Sequence, residues 1–152
     1  MTKPISTRMH GLIDYSWTAT ATEWSRRADG ATATARLLRY AAATATATSF
    51  VTNYEAGRFR LLPMRAHLAM DFALSAALIA SPLYLPRHER RYAKFPVLLG
   101  AMGLVAGLLT APRSPLEIDE EFGGLYGGRL PSETDRIDRN VMRSPRAGLH
   151  LE

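Results

Sequence analysis

Arg8, His10, Asp14 and Tyr15 recur 57 positions later as Arg65, His67, Asp71 and Phe72. Each copy opens an apolar segment, and each such segment is followed by a second one. A repeat of this period describes one supersecondary unit used twice, because a lone hairpin cannot bury its apolar face. The chain is therefore expected to be all-α. The expected form is a four-helix transmembrane bundle of two tandem helical-hairpin repeats, with a polar C-terminal tail. Repeat 1 covers about 8–55 and repeat 2 about 65–112, so 1–112 forms a membrane domain. Residues 113–152 read as a polar, largely disordered tail, with a short helix at Pro131-Ser132-Glu133.

The four segments differ in quality. Met9 to Trp24 and Leu37 to Tyr54 are rich in Thr. Ala66 to Leu85 has only His67 and Asp71 as ionisable groups, and Phe95 to Ala111 has none. A helix crosses a bilayer with roughly 20 apolar residues. The last two segments meet that length or sit at its lower edge, and the duplication lends the same reading to the first two. The alternation Thr44-Ala45-Thr46-Ala47-Thr48 has the period of a strand. Ala, however, is a strong helix former, and one fold for both copies makes this stretch helical. A Thr hydroxyl in a helix bonds back to a carbonyl one turn earlier. Gly103 and Gly107 form a weak small-xxx-small pair for close helix approach. Breaks are expected at Asp29-Gly30, at Gly57 to Pro63, at the basic loop Arg87 to Lys94, and at Pro112 and Pro115.

Charge is distributed in a way that bears on partners. Residues 1–112 hold 13 Lys/Arg and 6 Asp/Glu, and residues 113–152 hold 6 and 8. The arginines cluster at the ends of apolar segments, as in Arg26-Arg27 and Arg87/Arg90/Arg91. That placement fits the headgroup zone of a bilayer. No aromatic-interleaved basic face points to nucleic acid. Arg8 and Arg65 read as interface arginines. Eight basic residues on one side against six on the other leave the orientation open. The absence of Cys excludes disulfides and thiolate metal sites. No targeting sequence is evident before Arg8.

At a spacing of four residues, His10 faces Asp14 and His67 faces Asp71. If all four segments span, the first and third helices run in the same direction. Both pairs then lie at one end of the bundle, related by a two-fold axis along its length. Three roles are open to them. The most economical is structural, with each Asp accepting from a His to join the hairpins. A proton or ion relay is the second. A metal site made of His10, Asp14, His67 and Asp71 is the third. Asn53, Tyr54, Glu55 and Arg58 read as an interfacial belt with a surface ion pair, Glu23 as a partner of Arg26 or Arg27, Trp17 and Trp24 as packing or interface anchors, and His88 as solvated. No phosphate loop, nucleophile elbow or cofactor motif is visible, so no enzyme activity is expected.

Several of these runs resemble a known family. Ser6-Thr7-Arg8-Met9-His10-Gly11-Leu12-Ile13-Asp14-Tyr15, Thr52-Asn53-Tyr54-Glu55-Ala56-Gly57 and Leu62-Pro63-Met64-Arg65-Ala66-His67 with Asp71 look like the SPW-repeat family of small bacterial membrane proteins. Ala80-Ser81-Pro82-Leu83 stands where that family has Ser-Pro-Trp, with Leu83 in place of Trp. The likeness covers about residues 5–112. It implies a multi-pass protein of the inner (plasma) membrane and no known activity. The resulting expectation is a structural or interaction role with the lipid bilayer and a homo-oligomer or membrane subunit as partners. A small transporter or binding protein using the paired His/Asp groups, or a soluble four-helix bundle, are the alternatives.

Overall fold

The computed structural model describes residues 3–30 and 32–125, with side chains to residue 121. The described residues are helical, with α1 at Thr7–Arg27, α2 at Ala33–Val51, α3 at Met64–Ile79, α4 at Lys94–Leu109 and α5 at Pro115–Leu125. Short 3-10 turns at Ser81–Leu83 and Arg87–Tyr92 lie between α3 and α4. The duplicated hairpins are thus α1–α2 and α3–α4.

Local chemistry explains the helix limits. Ser6 caps α1 by accepting from the Met9 amide, and Thr32 caps α2 by accepting from Ala35. Side-chain oxygens at these positions satisfy amides that have no partner within the helix. Carboxylates from distant parts of the chain add to the start of α2 and complete that of α3. Glu89 accepts from the Ala33 and Thr34 amides at 3.0 and 2.8 Å and from the Thr34 hydroxyl at 2.9 Å. Glu117, itself held by Ser114, accepts from the Met64 amide at the head of α3. Between α1 and α2 the turn places Asp29 in the left-handed region, with φ of 60°.

The Ala/Thr stretch is helical, and the hydroxyls bond back as expected. Thr46 donates to Ala42 O at 2.8 Å and Thr48 to Thr44 O at 2.9 Å. Small side chains let α1 and α2 pack closely around Trp17, Ala21, Leu38, Ala41, Ala42 and Ala45, and Leu78 and Leu99 join this core from the second hairpin. α1 packs against α2, α2 against α3, α3 against α4, and α4 against α1, so the four form a closed ring. Gly103 faces the Ser75 hydroxyl and Gly107 faces the Phe72 ring, both on α3. The Gly pair therefore serves close approach inside the second hairpin.

The hairpins are joined by two short parallel β-bridges, Ile5↔Thr110 and Thr52↔Leu62. The chain entering α1 pairs with the end of α4, and the chain entering α3 pairs with the end of α2. The bonds match. Ile5 donates to Leu109 O and Leu62 to Val51 O, while Ala111 donates to Ile5 O and Asn53 to Leu62 O. Each repeat thus closes against the other through matching backbone bonds.

Four expectations are corrected. The third apolar segment does not run to Leu85 as one helix. Pro82 lacks an N–H and its ring crowds the carbonyl four residues back, so α3 ends at Ile79 and a 3-10 turn follows. The basic stretch after Pro86 is a 3-10 turn and not an open loop. The tail begins in order, since α5 starts at Pro115, and Ser114 donates to Asn53 O at 2.7 Å. Tyr54 belongs to the interior, with 0% exposure, and not to a surface belt. The expected helix at Pro131-Ser132-Glu133 lies outside the described residues. Among the described residues, no helix is long and apolar enough to cross a membrane.

Candidate functional site

His10 and His67 sit one turn into α1 and α3, helices that run in the same direction, so the two rings meet at one level. Their Nε2 atoms are 3.3 Å apart, the rings meet edge to face at 76°, and exposure is 1% and 0%. Asp14 and Asp71 follow one turn later and close the group. His10 Nε2 lies 3.4 Å from Asp14 Oδ1 and 3.1 Å from Asp71 Oδ2. His67 Nε2 lies 3.2 Å from Asp14 Oδ2 and 3.1 Å from Asp71 Oδ2. Each carboxylate therefore contacts its own His and that of the other repeat. The fold thus brings the two pairs together as one centre of four.

The outer nitrogens identify the protonation pattern. Thr110 Oγ1 lies 2.8 Å from His10 Nδ1, and Thr52 Oγ1 lies 2.9 Å from His67 Nδ1. Each of these hydroxyls gives its single proton to a carbonyl one turn back, Thr110 to Ala106 O at 2.7 Å and Thr52 to Thr48 O at 2.6 Å. A hydroxyl that has already donated can only accept. Both histidines therefore carry a proton on Nδ1 and present Nε2 to the centre. The support is crossed, since the His of repeat 1 is held by the C-cap residue of α4 in repeat 2, and that of repeat 2 by the C-cap residue of α2 in repeat 1.

Hydroxyls also serve Asp14, which accepts from Ser49 Oγ at 2.9 Å and from Tyr54 Oη at 3.4 Å. Burial of Tyr54 pushes its phenol well above the usual range, so it stays a donor. A cavity of ≈ 20 Å³ adjoins His10, Asp14 and Asp71 and is bordered by Trp17, Ser75, Gly103 and Ala106. That is space for about one water molecule. Trp17 turns its indole N–H away, to Leu99 O at 2.9 Å.

The other sequence candidates lie apart. Arg8 and Arg65 are exposed at the starts of α1 and α3. Glu23 pairs with both Arg26 and Arg27, at 3.4 and 3.1 Å. Trp17 belongs to the core, and Trp24 packs on it against Phe95. The His88 side chain is 81% exposed. Sequence reasoning missed Thr52, Thr110, Ser49 and Tyr54. One signal was present: Val51-Thr52 and Leu109-Thr110 end the second segment of each repeat, so a Thr recurs with the histidines. The chain matches no family model, no curated protein and no solved structure.

Proposed function

We propose that the chain is a small membrane-embedded bundle with a structural or interaction role rather than an enzyme, its two hairpins clasped by the His/Asp centre. One observation carries this reading: ionisable groups are buried while large apolar side chains face outward. The interior holds two histidines and two carboxylates, while α4 turns Leu98, Met102, Val105 and Leu108 outward at 52–55% exposure. Met9 and Leu12 of α1, and Met70 and Ile79 of α3, extend the outward apolar surface. Exposed apolar side chains in such number mark a lipid or protein contact. Ionisable groups in lipid face the bundle interior and find partners there. Arg8 and Arg65 at one end, with Arg26, Arg27, Arg87, Arg90 and Arg91 at the other, suit headgroups on the two sides.

Helix length sets a condition on this reading. At 1.5 Å per residue, α1 with 21 residues is about 31 Å long, but α3 and α4 with 16 are about 24 Å. The apolar layer of a bilayer is roughly 30 Å thick, so the second hairpin requires local thinning of the lipid. The resemblance of residues 5–112 to SPW-repeat proteins belongs to the same proposal. The second reading, a soluble bundle whose outward faces are covered by further copies, is favoured by the finding that no described helix is long and apolar enough to cross a membrane.

Fractionation of cells expressing the full chain separates the two. A membrane-embedded bundle stays in the pellet through alkaline carbonate and high salt, and detergent releases it. Recovery in the supernatant without detergent overturns the membrane reading and leaves the soluble oligomer.

A further inference from the structure

We propose that His10, Asp14, His67 and Asp71 form a tetrahedral site for one divalent first-row transition ion, of which Zn²⁺ fits best. The inference stands on the geometry of the centre and does not depend on the surrounding medium. Thr52 and Thr110 accept from Nδ1 of the two rings, so both Nε2 atoms face inward, 3.3 Å apart, beside the two carboxylates.

The nitrogen–oxygen distances here are 3.1, 3.1, 3.2 and 3.4 Å. Bonds of about 2.0–2.1 Å from a tetrahedral Zn²⁺ to nitrogen and oxygen place neighbouring ligands about 3.3–3.4 Å apart. One ligand atom from each of the four residues lies within 4.8 Å of all the others. The four residues therefore gather one ligand atom each around a common point.

The chemistry of the ligands agrees. Two carboxylates balance a divalent charge in a buried place. Imidazole nitrogens favour Zn²⁺ and its first-row neighbours, whereas Mg²⁺ and Ca²⁺ call for six or more oxygens. Metal-bound histidines hold their other N–H to an oxygen acceptor, which sets ring orientation. Thr52 and Thr110 do this here, and Ser49 does the equivalent for Asp14. The adjoining cavity has space for a water beside the ion.

The test uses the full chain, purified in detergent or in buffer as its fractionation dictates, stripped with a chelator and dialysed. Its outcome is thus independent of where the protein fractionates. ZnCl₂ and CoCl₂ are the probes. One ion per chain is expected by elemental analysis, with an intense visible Co²⁺ spectrum of tetrahedral type that Zn²⁺ abolishes. The Thr52→Val/Thr110→Val double variant is expected to bind 10–100-fold more weakly. His10→Gln/His67→Gln is expected to bind none. Should that variant not fold, the wild-type Co²⁺ protein supplies the answer by itself: its NMR spectrum is expected to contain two strongly shifted, exchangeable imidazole N–H signals. No uptake by wild type, a weak octahedral spectrum, fewer than two such signals, or binding that survives in a folded His10→Gln/His67→Gln variant would each overturn the proposal.

Discussion

Thr110 Oγ1 lies 2.8 Å from His10 Nδ1, although 100 residues separate them in sequence. Thr52 stands in the same relation to His67 at 2.9 Å. Each hydroxyl ends the second helix of one repeat and receives the imidazole proton of the other, so the duplication produces a reciprocal lock. Two copies of one hairpin, each supplying what the other lacks, cannot complete this centre separately. The β-bridges Ile5↔Thr110 and Thr52↔Leu62 hold the same two junctions through the backbone.

Replacing Thr52 by Val keeps the shape and removes the acceptor for a buried N–H. Leaving such a group unsatisfied costs about 1–3 kcal/mol, and Thr110→Val is expected to cost the same. Because His10 and His67 touch, loosening one ring releases the other. The double variant should therefore depart from additivity by at least about 0.5 kcal/mol. Thermal or denaturant unfolding of the two single variants and the double variant measures this. Strict additivity would show that the two locks are independent.

Much of this was legible in the sequence, and the reasons are physical. The four-residue spacing of His10 to Asp14 and His67 to Asp71 survives folding because helix geometry alone sets it. The common direction of α1 and α3 follows from the single helix, α2, that runs back between them, which brings the pairs to one level. Other features depend on tertiary placement. Glu89 reads as one acid in a basic run, and only the packing of its 3-10 turn against α2 makes it a cap. Thr52 and Thr110 lie 58 positions apart where the histidines lie 57 apart, so strict alignment of the repeats does not pair them. Tyr54 reads as a belt residue because aromatic residues are common at helix ends, but the bridge at Thr52 folds it inward over Met64 and Leu68. Hydropathy overestimates the length of α3, since it counts Ser81 to Leu85 as continuous helix where Pro82 interrupts it.

Glu89 predicts an acid-sensitive step. Burial works to raise its pKa, but the Thr34 and Ala33 amides and the Thr34 hydroxyl prevail and hold it below the model-compound value of 4.5. A carboxylate with a depressed folded pKa contributes stability that is fully present above its unfolded value and disappears as pH falls through the folded one. Unfolding measured from neutral pH downward should lose this contribution only below about pH 4.5. Glu89→Gln should lower stability at neutral pH and flatten that part of the profile. Glu89→Ala should cost about 1–2 kcal/mol, as for other lost helix caps. A profile for Glu89→Gln that parallels wild type would rule out this role.

Gly100 marks the closest approach of α4 to α3. A Cβ added there would lie 2.6 Å from Ser75 O and 2.9 Å from Ile79 Cγ1. The first contact is backbone and cannot turn away, so Gly100→Ala is expected to cost about 1–3 kcal/mol through forced separation of the helices. At Gly107 the nearest atom is Phe72 Cε1 at 3.1 Å, the edge of a ring with freedom to shift, so Gly107→Ala should be milder. Comparing the two unfolding midpoints tests the ranking. Equal effects would mean that the α3–α4 contact is looser than 2.6 Å implies.

The outward face of α4 separates lipid from water most directly. Met102 and Val105 are 54% and 55% exposed, near the middle of the helix and one turn apart. In water, exposed substitutions change stability by about 0.5 kcal/mol or less. At the centre of a spanning helix, each Asp raises the insertion cost by about 2.5–3.5 kcal/mol. Asp is the informative choice because its short side chain cannot reach the headgroups as Lys does. Met102→Asp/Val105→Asp should therefore sharply lower the fraction of the chain that resists carbonate extraction. The same variant, folded in detergent, should keep its helical circular dichroism. Undiminished carbonate resistance would mean that this face does not meet the lipid interior, and the outward apolar stripe would then require a protein partner.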